Sequence, residues 1–184
     1  MSIIKESVGS HELAEERLKK VIRTIPDFPK RGILFRDITP LLADKELFRF
    51  CIDRFKSISD EKIDYVVSIE SRGFVFGSAL AYALGVGFVL IRKEGKLPHR
   101  TVSAGYSLEY GEAKIEMHED AIHQGSRVLI IDDVLATGGT MRAAVDLVER
   151  LSGSVNGLYF LIELEALAGR QKLAGYNVHS LIRY

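Results

Sequence analysis

The sequence has 184 residues, of which 47% are hydrophobic and 27% are charged, so it is long enough for one domain with a buried core. Its 25 basic and 25 acidic residues balance, which excludes a strong overall attraction to nucleic acid or to anionic membranes. The single cysteine, Cys51, excludes an internal disulfide and suits a reducing compartment. No apolar stretch near the N-terminus resembles a secretory signal, so we expect a cytoplasmic protein.

The first predicted element is an amphipathic helix that starts near Ser10 and extends to Ile25. Its apolar residues recur at helical spacing, while glutamates and lysines occupy the opposite face. Pro26 and Pro29 are expected to end this helix, because proline cannot continue the backbone hydrogen-bond pattern. The stretch from there to Pro40 is expected to be irregular.

A second helix is predicted to follow Asp44, and Cys51 lies on its apolar face, which favours a packing role over a reactive thiol. Beyond this helix, short aliphatic runs alternate with helical segments. The predicted strands are Tyr65–Ile69, Phe88–Ile91, Val128–Ile131, Leu158–Ile162 and Val178–Ile182, and the predicted helices are Gly73–Leu84 and Thr140–Leu151. This alternation indicates an α/β fold, a mostly parallel twisted sheet with helices on both faces.

One segment imitates a membrane span. Phe74–Ile91 has no charged residue over a length that could cross a bilayer, and Gly73 with Gly77 forms a GxxxG pair. Gly85 and Gly87 interrupt the segment, so we interpret it as a buried helix followed by a buried strand. No membrane partner is expected.

A charged, glycine-containing stretch, Lys93–Gly105, leads into two segments of alternating hydrophobicity that predict a β-hairpin turning at Gly111. This hairpin is expected to form a flexible flap over about residues 93–118. The chain contains no internal repeat or interdomain linker. We therefore predict a single domain over residues 1–184.

The strongest functional motif is a hydrophobic strand that ends in two acids and leads into a glycine-rich helix start. The expected phosphate cradle consists of Ala136, Thr137, Gly138, Gly139 and Thr140. Its glycines leave room for an anion, its threonines add hydroxyl donors, and the helix start contributes a positive dipole. Asp132 and Asp133 can accept hydrogen bonds from the vicinal hydroxyls of a ribose. The alternative is an ordinary strand-to-helix turn with two coincidental acids.

The run Val128–Thr140 resembles the signature of the type I phosphoribosyltransferases. Other tracts resemble the adenine-specific members of that family, and these are Phe28-Pro29, Gly32–Pro40, Ser71–Phe74, Arg92-Lys93, Gly95–Pro98 and Tyr106–Gly111. The resemblance implies transfer of the 5-phosphoribosyl group from phosphoribosyl pyrophosphate to adenine, giving AMP and pyrophosphate in purine salvage. It also implies a homodimer, and Mg2+ held mainly by substrate oxygens with no protein metal site.

The resemblance divides the domain into an N-terminal helix with a base-binding hood, residues 1–40, and a core, residues 41–184. The adenine-binding candidates are Leu34, Phe35 and Arg36, where backbone groups would read the edge of the base and apolar side chains would sandwich its ring. The alternative is that the apolar residues of this tract simply attach the extension to the core.

Ser71 and Arg72 correspond to the family's pyrophosphate loop, and the resemblance implies a cis peptide bond between Glu70 and Ser71. The basic residues expected at the pyrophosphate are Arg92, Lys93 and Lys96, which cluster with Arg100. Some of this cluster is implied to reach a neighbouring subunit's site. The alternative is an ordinary solvated loop.

The catalytic candidates are Arg72 and Glu109, and Glu109 corresponds to the family's loop glutamate, which would handle the purine proton. Tyr110, next along the flap, is expected to contact phosphoribosyl pyrophosphate. The alternative for Glu109 is a solvated hairpin carboxylate. His99 lies where adenine-specific relatives often have glycine, and the five histidines show no metal-ligand spacing, so no zinc site is expected.

Two other functions stay open at this point. A phosphoribosyltransferase for hypoxanthine, guanine, xanthine or orotate would have a similar phosphate site. A non-catalytic regulator that senses phosphoribosyl pyrophosphate would need an added DNA-binding domain and a basic face, and this sequence indicates neither. No nucleic-acid partner is therefore expected.

Overall fold

The computed structural model describes residues 8–59, 62–108 and 111–184. The chain divides into two compact units, residues 1–51 and residues 52–184. The single domain with a hood that ends near residue 40 stays a prediction.

The first unit contains helices and a small sheet. Its elements are α1 (Val8–Val21), β1 (Arg23–Pro26), β2 (Leu34–Asp37), α2 (Thr39–Ala43) and the start of α3 (Lys45–Ile58), with β1 and β2 antiparallel. The predicted extension of the first helix to Ile25 is wrong. Thr24 and Ile25 are β-branched, and Pro26 disfavours helical backbone in the residue before it, so these residues form a strand. The expectation of an irregular stretch up to Pro40 is also wrong in part, because β2 and the start of α2 lie within it.

Helix α3 begins where the sequence predicted. The Asp44 carboxylate accepts hydrogen bonds from the amides of Glu46 and Leu47 at 3.0 and 3.1 Å, which caps the helix N-terminus. Cys51 and Phe55 are fully buried on its inner face. Burial raises the pKa of the Cys51 thiol to about 12, so the predicted packing role is confirmed.

The second unit is built on a seven-stranded sheet in the order β5-β6-β4-β3-β7-β8-β9. The parallel strands are β3 (Tyr65–Ile69), β4 (Gly87–Lys93), β7 (Arg127–Leu135), β8 (Ser154–Glu163) and β9 (Val178–Arg183), and the hairpin strands are β5 (Thr101–Leu108) and β6 (Gly111–His118). The hairpin is antiparallel and joins the sheet along β4. The predicted mostly parallel sheet is confirmed.

Helices cover both faces of this sheet, as predicted. Helix α5 (Gly139–Arg150) packs on one face, where Val67, Ile130 and Phe160 belong to the main core. Helix α4 (Gly73–Leu84) and the end of α3 cover the other face, where the Phe55 ring stacks on Tyr159 with centroids 5.9 Å apart. Two 3-10 helices, Glu165–Leu167 and Gly169–Leu173, follow β8 and were not predicted.

The GxxxG pair serves close packing inside the second unit. A Cβ atom at Gly77 would lie 2.6 Å from Ser68 Cβ, and one at Gly73 would lie 2.8 Å from Ser68 Oγ. Glycine at both positions therefore lets α4 lie directly on β3. The helix ends at Gly85, whose φ of 72° is left-handed, and β4 follows, so the segment divides as predicted. Among the described residues, no helix combines the length and the hydrophobicity of a membrane span.

Candidate active site

The motif of two acids followed by a glycine-rich helix start lies at the carboxyl end of β7. This strand continues to Leu135, four residues beyond its predicted end, so Asp132 and Asp133 belong to the strand itself. Ala136 and Thr137 then lead to Gly138, whose φ of 78° is left-handed, and α5 starts at Gly139. Ligands bind at this edge of a parallel sheet because strands there lead into helix N-termini.

The loop presents free backbone donors. Among the described residues, none accepts a hydrogen bond from the amides of Thr137, Gly138 or Gly139. The first helical amide with a partner is that of Arg142, which donates to the Gly138 carbonyl at 2.9 Å. Unpaired amides at a helix start attract an anion, so this arrangement can bind a phosphate group.

The two acids next to the loop are crowded. The Asp132 carboxylate accepts a hydrogen bond from the Asp133 amide at 2.9 Å. Burial, followed by the charge of Asp133, raises the pKa of the Asp132 carboxyl well above its usual value. Burial also raises the pKa of Asp133, although the positive charge of Arg72 opposes that shift. A hydroxyl donor or a cation next to these carboxylates would favour their ionised forms.

Arg72 connects the acids to the loop after β3. Its Nε atom lies 2.6 Å from Asp133 Oδ2, and Arg72 directly precedes the first residue of α4. The peptide bond between Glu70 and Ser71 is cis, as the resemblance implies. The structure thus brings the Ser71-Arg72 loop together with the two acids, as predicted.

Glu70 anchors the neighbouring strand end. Its carboxylate accepts hydrogen bonds from Arg92 Nε and Nη2 at 3.0 and 2.8 Å, and from the Lys93 amide at 2.6 Å. Burial raises the pKa of Glu70, but the bonds from Lys93 and Arg92 outweigh burial, and the net shift is downward. The guanidinium of Arg92 therefore supports the loop before Ser71 in this structure.

These groups surround one cavity of about 380 Å³. It is lined by Ile69, Glu70, Ser71, Arg72, Lys93, Tyr106, Ile115, Asp132, Asp133 and Thr140. A ribose ring with its phosphate groups has the dimensions and polarity that such a cavity accommodates. Among the described residues, no cluster of three or more histidine, cysteine or acidic side chains could hold a metal ion.

Comparison with known proteins identifies the family. A family model for the phosphoribosyl transferase domain matches residues 39–176. The adenine phosphoribosyltransferase of Halothermothrix orenii is 55% identical over 167 residues, which are 90% of this chain and 98% of that protein. The chain belongs to the adenine phosphoribosyltransferase family.

Two solved adenine phosphoribosyltransferases have the same fold. The enzyme of Thermoanaerobacter pseudethanolicus matches with a TM-score of 0.89 and 52% identity, over 92% of this chain and 99% of that one. The enzyme of Saccharomyces cerevisiae, solved with adenine and an imino-altritol bisphosphate, matches with a TM-score of 0.88 and 44% identity over 92% and 99% of the two chains.

The base-site candidates of this family member lie in the first unit, on β2. The Phe35 ring packs edge-on against Phe28 with centroids 5.1 Å apart, and Arg36 Nη1 donates to Thr24 Oγ1. The Leu34 side chain is 56% exposed. The contacts hold Phe35 and Arg36 within the first unit, whereas the Leu34 side chain stays exposed.

Six described candidates for phosphoribosyl pyrophosphate are not among the residues that line the cavity, and these are Arg92, Lys96, Ala136, Thr137, Gly138 and Gly139. Arg92 lies behind it on Glu70, and Lys96 is exposed on the loop that follows. Glu109 and Tyr110 lie outside the described residues.

Four residues that line the cavity were not predicted as site residues, and these are Ile69, Glu70, Tyr106 and Ile115. Tyr106 and Ile115 come from the two strands of the hairpin, Ile69 is the last residue of β3, and Glu70 directly precedes Ser71. Inward alternation along the hairpin strands was the available signal for Tyr106 and Ile115. No pattern in the sequence indicated that Glu70 would bind the Arg92 guanidinium.

Proposed function

We propose that this protein is a purine salvage enzyme that transfers the 5-phosphoribosyl group from phosphoribosyl pyrophosphate to adenine, giving AMP and pyrophosphate. The main support for the proposal is that two carboxylates, a guanidinium, a lysine and the start of α5 line the same cavity. These are the groups needed to bind a ribose and its phosphates together. The relatives named as adenine phosphoribosyltransferases support adenine as the base.

The 5-phosphate would occupy the loop Ala136–Thr140. Its unpaired amides and the dipole of α5 favour a dianion, and the Thr137 and Thr140 hydroxyls add donors. Asp132 and Asp133 would accept hydrogen bonds from the two ribose hydroxyls. Both oxygens of each carboxyl group can accept such bonds when the group is ionised. Bonds of this kind hold the ring so that its C1 atom faces the incoming base.

The pyrophosphate leaving group would lie between the Ser71-Arg72 loop and the start of the flap. Arg72 and Lys93 contribute positive charge to the cavity there. Negative charge develops on the leaving oxygen as its bond to C1 breaks, so preorganised cations lower the barrier. Arg92 would act on this group indirectly, because it binds Glu70, which also accepts a hydrogen bond from the Lys93 amide. Lys96 would act from the loop that follows.

Magnesium fits this site as a companion of the substrate. Burial raises the pKa of Asp132 and of Asp133, and Arg72 lies in contact with Asp133, so a further positive charge nearby would stabilise their ionised forms. When bound through pyrophosphate and ribose oxygens, Mg2+ would neutralise charge on the leaving group. The two carboxylates would hold the ribose hydroxyls of that complex.

The base would be held by the tract Leu34–Arg36, with its backbone reading the purine edge and its apolar side chains covering the ring. Glu109 would accept the proton that the purine nitrogen loses as the bond to C1 forms. Closure of the hairpin over both substrates would exclude water, which otherwise hydrolyses the activated sugar.

The role of Glu109 is tested by substitution on the hairpin. We expect Glu109→Ala to lower kcat with adenine by about 10²- to 10⁴-fold, the usual contribution of a general acid or base. Glu119→Ala removes an exposed carboxylate just after β6 and provides the matched control. Full turnover by the Glu109 variant would show that another group, or water, takes the proton.

We also propose a homodimer in the cytoplasm. The outer face of α4 carries Val75 and Tyr82, which are 37% and 91% exposed and lie seven residues apart on the same side of the helix. Leu90 on the adjoining strand β4 is 39% exposed. Large exposed apolar side chains of this kind favour a protein interface. The free, buried thiol of Cys51 suits a reducing compartment.

The decisive experiment offers each base separately. The protein is incubated with Mg2+, phosphoribosyl pyrophosphate and one of adenine, hypoxanthine, guanine, xanthine or orotate, and nucleotides are separated by chromatography. AMP formed from adenine, with no nucleotide from the other bases, is the expected result. A nucleotide from another base would reassign the specificity, and none from any base would favour a sensor of phosphoribosyl pyrophosphate.

A further inference from the structure

The 3-10 helix Gly169–Leu173 touches the phosphate-binding loop through bare backbone. A Cβ atom on Gly169 would lie 2.9 Å from the Gly138 amide nitrogen and 3.0 Å from the Ala136 carbonyl carbon. A Cβ atom on Gly138 would in turn lie 3.1 Å from the carbonyl carbon of Gly169. Real Cβ atoms essentially never come closer than 3.0 Å, so these two backbones meet at a distance that only glycine allows.

Gly169 does not belong to the ligand cavity. It is buried, and the cavity of about 380 Å³ is lined by other residues. Because Gly169 is buried, its contact with the loop is made from within the protein. The amides of Thr137 and Gly138 have no acceptor among the described residues, so the contact with Gly169 constrains their orientation.

The 3-10 helix is itself held firmly to the sheet. Arg170 Nε and Nη2 donate to the Glu163 carboxylate at 2.8 and 2.5 Å, and Arg170 Nη1 donates to the Val178 carbonyl at 2.9 Å. Ser180 Oγ also donates to Glu163, which is almost fully buried at the end of β8. Ala168, with a left-handed φ of 51°, turns the chain so that Gly169 reaches the loop. A short path of rigid contacts thus runs from the strand ends to Gly138.

We infer that Gly169 is a positioning residue that fixes the phosphate-binding loop from behind, with the Arg170–Glu163 ion pair as its anchor. The inference rests on the proposed function, because it assigns phosphate binding to that loop. A methyl group at residue 169 pushes the Ala136 carbonyl and the Gly138 amide outward and turns the loop donors away from their anion. Misplacement of binding groups by a fraction of an ångström weakens binding strongly.

The test compares two glycines of the same segment. Gly169→Ala places its methyl group against the loop, whereas Gly175→Ala has a left-handed φ of 93° and nothing within 4 Å of the added atom. Both substitutions lower the Tm, since alanine is strained at residue 175 and overpacked at residue 169. The dissociation constant for ribose 5-phosphate is measured by calorimetry, and the KM values for phosphoribosyl pyrophosphate and adenine by steady-state kinetics.

The expected result is a loss of affinity confined to one variant and one substrate. Gly169→Ala weakens ribose 5-phosphate binding about tenfold or more and raises the KM for phosphoribosyl pyrophosphate, with the KM for adenine unchanged. Gly175→Ala keeps wild-type affinity despite its lower Tm. Equal affinities in the wild type and the Gly169 variant, or an equal loss in both variants, would overturn the inference.

A second variant covers the case in which Gly169→Ala does not fold. Arg170→Met releases the 3-10 helix from Glu163 without adding an atom at residue 169, and it should also weaken ribose 5-phosphate binding. Wild-type affinity in this variant would overturn the inference. Since ribose 5-phosphate binding needs neither adenine nor turnover, a wild-type protein that binds it but makes no AMP would refute only the proposed function.

Discussion

Because α4 packs against β7 at Gly73, we expect Gly73→Ala to lower both the stability of the protein and its affinity for phosphoribosyl pyrophosphate. A Cβ atom at Gly73 would lie 2.7 Å from Asp132 Oδ1, and ordinary contact starts at 3.4 Å, so the carboxylate must retreat by about 0.7 Å. Overpacking of this kind costs about 1–3 kcal/mol. At about 2–4 °C per kcal/mol for a protein of this size, the Tm of Gly73→Ala should fall by roughly 2–12 °C.

The displaced carboxylate should also weaken binding of the sugar. A misplacement of 1 Å can cost about 10²-fold, so a retreat of about 0.7 Å should raise the KM for phosphoribosyl pyrophosphate by about tenfold or more. Gly77→Ala is the matched control, because its methyl group would meet Ser68 and Phe88 and lies away from Asp132. The methyl group at residue 77 is overpacked as well, at 2.6 Å from Ser68 Cβ, so the Tm should fall in both variants.

Thermal melting and steady-state kinetics of the two variants separate the effects. The KM for phosphoribosyl pyrophosphate should rise in the Gly73 variant alone, while kcat measured at saturation changes less. If both variants melt like the wild type, α4 does not lie on β3 as closely as described. If their KM values change equally, displacement of Asp132 is not the cause.

Two pH-dependent predictions follow from the acidic groups. Asp132→Asn should abolish measurable binding of phosphoribosyl pyrophosphate in calorimetry, yet raise the Tm in metal-free buffer. The folded pKa of Asp132 is raised, so the wild type loses stability as pH rises from about 4 through that folded value, and the gain in the variant should grow over this range and vanish below it. A gain independent of pH would contradict the assigned cause. Glu163→Gln should lose about 1–2 kcal/mol at pH 7 in urea unfolding, because charged hydrogen bonds from Arg170 are lost. Here the pKa is lowered, first by the bond from Arg170, so wild-type stability is present above about pH 4.3 and disappears in acid, where the two proteins should converge.

Most of the core could be predicted from the sequence because its signals are local. The strand Tyr65–Ile69 and the helix Gly73–Leu84 have the predicted bounds, since continuous aliphatic runs and a terminal glycine mark them clearly. The end of β7 was predicted too early, because aspartate is a poor strand former and the pairing of Asp132 with Phe160 is a tertiary contact. The hairpin of β1 and β2 was missed for the same reason, as it depends on two segments that recognise each other.

The candidate site also combines a motif that the sequence predicts with contacts that it does not predict. Gly138, Asp132 and Asp133 form one continuous motif, so their neighbourhood could be predicted from spacing alone. Contacts that join distant segments could not, and these include the bond of Arg72 to Asp133 and the approach of Gly169 to the phosphate-binding loop. Sequence spacing contains no information on which arginine meets which acid across more than sixty residues.

The continuation of β7 through Asp132 and Asp133 has a consequence for how the site responds to damage elsewhere. Groups on a loop open by local fluctuation, whereas residues inside a core strand open only when the cooperative unit around them unfolds. Asp132 and Asp133, the proposed sugar-binding acids, therefore have the persistence of the core of the second unit. A destabilising substitution remote from them should reduce the number of folded, active molecules and leave each of those molecules with full affinity.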